Sequence, residues 1–191
     1  KDQFALQDEI AIETIKMIAP GVRERELKRA LLKHPQNMTA YDLVLQALEL
    51  LHRLDYAGFS RARGLLQRAM ICDPGYSPAY SYATWWHNCR IAQQWSTDLE
   101  MDGREAIRLA TTALDRDPND ALALATYGQV SSLICKRFDE ALEHFDRAIA
   151  ASPSSAIAWT LKATTLSFIG DGPGAVRCAM RGLQLSPISR K

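Results

Sequence analysis

The sequence predicts an all-α fold, a right-handed solenoid of about ten helices stacked in pairs, with no sheet. Three observations carry that reading. Apolar residues step by three or four along each periodic segment, and no run alternates convincingly. An Asp-Pro or Ser-Pro pair recurs with its proline at Pro74, Pro118, Pro153 and Pro187, spaced 44, 35 and 34 residues apart. Small residues keep phase with those prolines: Ala62, Ala106, Ala141 and Ala175 stand twelve before, and Ala69, Ala113, Ala148 and Gly182 five before. Two helices approach closely only where a side chain is small, so these positions mark the contact points of each pair. Leu66, Ala110, Phe145 and Ala179, eight before each proline, fill the space between the two helices.

Residues 1–36 lack this phase. Leu6, Ile10, Ala11, Ile15, Met17 and Ile18 make 2–19 an amphipathic helix, Pro20-Gly21 breaks it, and 22–33 reads as a second helix. The basic face of that second helix, with Glu24 and Glu26 interleaved, is a solvated surface, and both apolar faces are expected to pack on the array. After the linker His34-Pro35-Gln36-Asn37, Thr39 and Asp42 form a capping box that opens a helix at 40–53, with a partner at about 58–72; together they make a unit over 37–75. The unit at 76–119 carries about ten residues more than the usual ~34, inserted between Tyr80 and Ala106. Both its helices are expected to be long, with tips beyond the rim of the array, and Thr97 with Glu100 reads as the capping box that restarts the second at about 98.

In the unit at 120–153, Gly128 allows close helix contact and Lys136-Arg137 forms the turn. The unit at 154–187 turns at Gly170–Gly174, where Pro173 fits the first helical turn because no amide donor is needed there. Only Ile188–Lys191 follow, with no polar capping helix, so Val176, Met180 and Leu183 are expected to be exposed and to favour homodimers through that apolar end.

A bulky residue six after each proline, Tyr80, Leu124 and Trp159, and Thr84, Gly128 and Ala163 ten after, complete a pattern that resembles the tetratricopeptide repeat over about 150 residues. The opening FALQDEIAIETI, the segments LLKHPQN and TAYDLVLQALELLHR, and Asp73-Pro74-Gly75-Tyr76 are similar to the carboxy-terminal repeat regions of bacterial adenylate/guanylate cyclase-related proteins and of some winged-helix transcriptional regulators. That resemblance implies a regulatory or sensory appendage whose catalytic or DNA-binding head lies upstream of Lys1. Function is then a non-catalytic protein–protein interaction scaffold; the alternatives are a self-association module or a fragment with its own activity around Trp85–Trp95 and His87.

Composition agrees with a folded scaffold: 47% hydrophobic and 24% charged residues exclude disorder. A net charge of +1 leaves no long-range field for nucleic acid or an anionic membrane, and no run approaches the ~20 apolar residues of a membrane span. Cys72, Cys89, Cys135 and Cys178 fall on helical patterns without a CxxC, which reads as small buried hydrophobes in a reducing, cytoplasmic setting.

No residues assemble into convincing chemistry, and neither a cofactor nor a metal is expected. Gly170-x-Gly172-x-Gly174 follows a helix and lacks a GK[ST] ending, so it is a turn and not a phosphate loop. Glu140 and His144 share a helical face but have no third ligand in sequence. His87 and Cys89, two apart on a helix, diverge by about 200° and cannot act as a base and its nucleophile.

The resemblance implies a concave groove lined by the first helix of each pair. Its ligand-facing positions fall on Ser81, Trp85, Asn88 and Cys89, on Ala125, Gln129, Ser132 and Leu133, and on Thr160, Thr164, Ser167 and Phe168. This lining is neutral and departs from the Lys, Asn and Arg clamp of chaperone-tail binders, so an apolar helix or an extended segment with small side chains is the expected ligand. Tyr80 and Trp86 are expected in the core. Trp85, in the groove, is the expected anchor.

Overall fold

The computed structural model describes residues 26, 27, 30, 38–53 and 55–186. From residue 38 on, the described residues form eight helices in order: α1 (Ala40–His52), α2 (Tyr56–Cys72), α3 (Ser77–Ala92), α4 (Leu99–Arg116), α5 (Ala121–Leu133), α6 (Phe138–Ala151), α7 (Ala156–Phe168) and α8 (Gly172–Leu185). Among the described residues there is no strand, so the all-α class holds with eight helices where about ten were expected. The expected helices at 2–19 and 22–33 lie outside the described residues, apart from Glu26, Leu27 and Ala30, which are helical. Ala30 is fully buried, and its carbonyl accepts the Gln46 amide of α1 at 3.2 Å.

Local chemistry sets the helix ends. Thr39 and Asp42 make the expected capping box: the Asp42 amide donates to the Thr39 hydroxyl at 3.2 Å and the Thr39 amide to the Asp42 carboxylate at 2.8 Å. Asp55, Asp120 and Asp171 each accept the amide three residues on, opening α2, α5 and α8. Pro173 sits in the first turn of α8, where its missing N–H costs nothing. The restart of α4 differs from expectation. Asp98, not Thr97, is the N-cap and accepts the Met101 amide at 2.9 Å, because a carboxylate one residue later reaches the free donors of the first turn.

The helices pack as four consecutive pairs, α1–α2, α3–α4, α5–α6 and α7–α8, and both helices of each pair pack on the first helix of the next. Small residues make the contacts: Ala62, Ala69, Ala106, Ala113, Ala141 and Ala148 are fully buried, and Leu66 and Phe145 fill the gaps between helices. At Gly128 a Cβ would meet the Ala141 carbonyl and the Phe145 ring at 3.0 Å, which is why α5 and α6 can approach only over a glycine.

The lengthened second pair behaves differently from the expected free tips. Helices α3 and α4 are long, 16 and 18 residues. Their connection folds back, however, and Trp95 packs edge-on against Tyr56 at 5.7 Å and Phe59 at 4.9 Å. Burial of the indole on an apolar neighbour outweighs leaving it in water. The cysteines also divide: Cys178 is buried as expected, Cys89 and Cys135 are half-buried, and Cys72 is exposed because it faces away at the end of α2.

Candidate functional site

The expected groove lining lies on the first helices of the second, third and fourth pairs and separates into two groups by burial. Ser81, Asn88, Ala125 and Ser132 are at most 2% exposed. Their side chains join neighbouring pairs. The Ser81 hydroxyl donates to Asp120, which also caps α5; the Asn88 amide donates to the Thr126 carbonyl at 2.9 Å and to Gln129 at 3.0 Å; the Thr165 hydroxyl donates to Ser132 at 2.9 Å. Buried polar groups need partners, and these bonds cross from one repeat to the next, while Ser81 also reaches the Ser77 carbonyl of its own helix at 3.2 Å and Asn88 Oδ1 has no partner among the described residues. The crossing bonds set how one pair sits on the next. Ala125 is small enough to let α5 approach its neighbours.

The remaining residues are at least partly open to solvent. Trp85, Cys89 and Gln129 are half-buried, while Thr160, Thr164 and Phe168 are exposed, Phe168 by 57%. The Thr160 and Thr164 hydroxyls bond carbonyls of their own helix, at 2.9 and 3.1 Å, so they add no free charge or strong donor. Burial pushes the Cys89 thiol up to about 12, so it stays protonated and is no nucleophile. Trp85 lines an open cleft of about 380 Å³ with Ile157, Thr160 and Leu161 of α7 and Leu183 of α8.

A second cleft of about 400 Å³ lies toward the first pair, walled by Tyr41, Leu45 and Leu48 of α1 and by Tyr76, Tyr82 and Leu122. The sequence pattern did not point to it, because only the second helix of the first unit is in phase with the Asp-Pro and Ser-Pro prolines. The signal existed: Tyr41 stands six after Pro35, the spacing that places Tyr80 after Pro74.

The histidines occupy other roles. His87 is 5% exposed, and its Nδ1 lies 2.8 Å from the Asp102 carboxylate. Asp102 is fully buried and is also met by Arg90 at 3.3 Å and by the Ser96 hydroxyl. Although Ser, His and Asp gather here, the Ser96 hydroxyl bonds the carboxylate and not the imidazole, so no base stands ready to take its proton. Burial depresses the His87 pKa below the ordinary value, outweighing the hydrogen bond and charge of Asp102. Glu140 pairs with Arg137 at 3.4 Å, and His144 lies 4.3 Å from the Tyr127 ring, with burial and Arg147 lowering its pKa. Among the described residues no three His, Cys, Asp or Glu side chains gather to hold a metal, and no helix is long and apolar enough to cross a membrane.

No family model matches the chain. It is 26% identical over 144 residues to the protein named "Putative adenylate cyclase 3" of Rhizobium meliloti (strain 1021), covering 75% of this chain but only 24% of that protein. Among solved structures it is similar to the TPR protein TTC0263 of Thermus thermophilus, with a TM-score of 0.70 at 18% identity, covering 92% of this chain and 89% of that one. PilF of Pseudomonas aeruginosa matches with a TM-score of 0.57 at 19% identity, covering 77% and 61%. MamA matches with 0.53 at 18%, covering 89% and 92%. The fold is therefore the tetratricopeptide helical solenoid.

Proposed function

We propose that this chain is a non-catalytic scaffold that binds a protein or peptide segment along its concave face, as the regulatory repeat region of a larger bacterial signalling protein. The observation that carries the reading is Trp85, a half-buried indole at the wall of an open, neutral cleft between α3 and the last pair. A rigid aromatic anchor beside accessible apolar surface suits an apolar helix or a small-residue extended segment, and charged or nucleic-acid ligands find no counter-charge there. Similarity over 144 residues to the Rhizobium protein supports the signalling context. A reducing, cytoplasmic setting suits four free cysteines.

The test is a peptide array of amphipathic-helical and small-residue extended segments, probed with the chain and with Trp85→Ala. Captured peptides should lose ~2 kcal/mol or more of affinity on the substitution, measured where the variant is fully folded. Unchanged affinity together with a stability loss of ~3–5 kcal/mol would place the indole in the core and the reading would fail.

A second reading, self-association, rests on the outer face of α8, where Val176, Met180 and Leu183 are each more than half exposed. Sedimentation equilibrium should then show mass rising with concentration, and Met180→Glu should abolish the rise. A chain that stays monomeric at ~100 μM excludes it; specific dimers of Kd ~1 μM would be saturated there.

A further inference from the structure

On a different surface from the concave clefts, the extra length of the second pair builds a pocket of about 200 Å³ between α2, the end of α3 and the connection to α4. Its floor is held in place. Trp86 donates its indole N–H to the Phe59 carbonyl at 2.8 Å and stacks on the Phe59 ring at 4.8 Å. Trp95 and Tyr56 stand edge to face at the rim, and Tyr56 is 65% exposed. Two guanidiniums lie over the Trp86 ring, Arg63 at 5.3 Å and Arg90 at 5.5 Å.

These two cations differ in what they can still do. Arg90 is committed: its Nε donates to the Trp95 carbonyl and its Nη1 pairs with Asp102, both at 3.3 Å. Arg63 is exposed, and no hydrogen bond or ion pair among the described residues engages it, although its charge acts at longer range on Glu105 and His87. The carboxylates of this region are already occupied, Asp102 by His87, Arg90 and Ser96, and Glu105 by two bonds from Arg108 at 2.6 and 2.9 Å. Stacking on an indole uses only the face of a guanidinium and leaves its N–H edge free.

We infer that this pocket binds a single-ring aromatic carboxylate, with the carboxylate on the free edge of Arg63 and the ring against Tyr56 and Trp95. A planar carboxylate matches the two-pronged guanidinium edge. A phosphate monoester, with ~2 charges, calls for more than the one uncommitted cation that the described residues place at this pocket. The volume is below the ~300 Å³ at which drug-sized ligands begin, so one ring fills it.

Titrating benzoate into the 191-residue chain while following the four tryptophan indole N–H resonances tests this, with the Trp95 signal assigned by Trp95→Phe. The Trp95 resonance should shift with a Kd on the order of 1 mM, and benzamide, the neutral isostere, should leave it in place. Arg63→Gln should weaken benzoate tenfold or more with the thermal midpoint lowered by no more than about 4 °C, the loss of one cation–π contact, and Arg63→Lys, which keeps the charge but not the fork, should fall between in affinity. No shift at tenfold the expected Kd, equal shifts from benzamide, equal affinity in Arg63→Gln or Arg63→Lys, or tighter binding of phenyl phosphate than benzoate would each overturn the assignment.

Discussion

Two opposed influences meet at His87. Burial in the second pair disfavours the imidazolium, while the Asp102 carboxylate favours it, and burial prevails, so the folded pKa lies below the ordinary value. The consequence for stability has a definite sign. Between the ordinary value near 6.5 and the lower folded value, the unfolded chain binds a proton that the folded chain does not, so stability falls as pH falls through that window. His144, lowered by burial and by Arg147, acts in the same direction. Thermal midpoints should therefore drop from about pH 7 to about pH 5, and His87→Gln should show a shallower drop than the parent. A midpoint flat across that range in the parent would mean that Asp102 compensates the burial fully. The neutral folded imidazole also fits the geometry: Asp102 already balances the half-buried Arg90, so a further cation at His87 would go uncompensated.

At the scale of helices, the glycines show which contacts are close and which positions are free. A Cβ at Gly128 would press on backbone as well as on Phe145, so Gly128→Val should cost ~1–3 kcal/mol, since the Ala141 carbonyl cannot move aside without shifting α6. Gly64 is exposed in the interior of α2 with nothing within 4 Å, so Gly64→Ala should stabilise by ~0.5–1 kcal/mol. Urea denaturation of both variants checks the pair, and a Gly128→Val variant of parental stability would contradict the packing of α5 on α6. The contact points were legible in the sequence because a small residue at a fixed phase can serve only a close approach. The inter-pair hydrogen bonds were not. Ser81, Asn88 and Ser132 fall at positions that face a ligand in the family pattern, and nothing in their spacing shows that Asp120, Thr126 and Thr165 lie opposite. The same applies to Trp95. Its place in an insertion was readable, but the fold-back onto Tyr56 and Phe59 depends on a partner helix 36–39 residues away in sequence.

Across the whole molecule, an array whose pairs touch mainly their neighbours has stability that varies along its length. The buried clusters are uneven. Helices α1 to α4 enclose Leu43, Leu48, Phe59, Leu66, Trp86 and Leu109, whereas the cluster centred on the last pair has Ala163, Leu166 and Cys178 as its buried members. Apolar area removed from water scales with these side chains, and the outer face of α8 contributes less than a buried face would, since Val176, Met180 and Leu183 are each more than half exposed. Opening α7 and α8 therefore exposes much less new apolar surface than opening α3 and α4, and such low-cost openings dominate amide exchange. Hydrogen exchange of the 191-residue chain should show α8 exchanging first, with α3 and α4 protected at least ~10-fold longer. Leu166→Ala should accelerate α7 and α8 while leaving α3 unchanged, because the loss is confined to the last cluster. Uniform protection across all eight helices would instead mean a single cooperative unit, and the nearest-neighbour account would have to be abandoned. The experiment also bears on the self-association reading: if copies pair through Val176, Met180 and Leu183, raising the concentration protects α8 before any other helix.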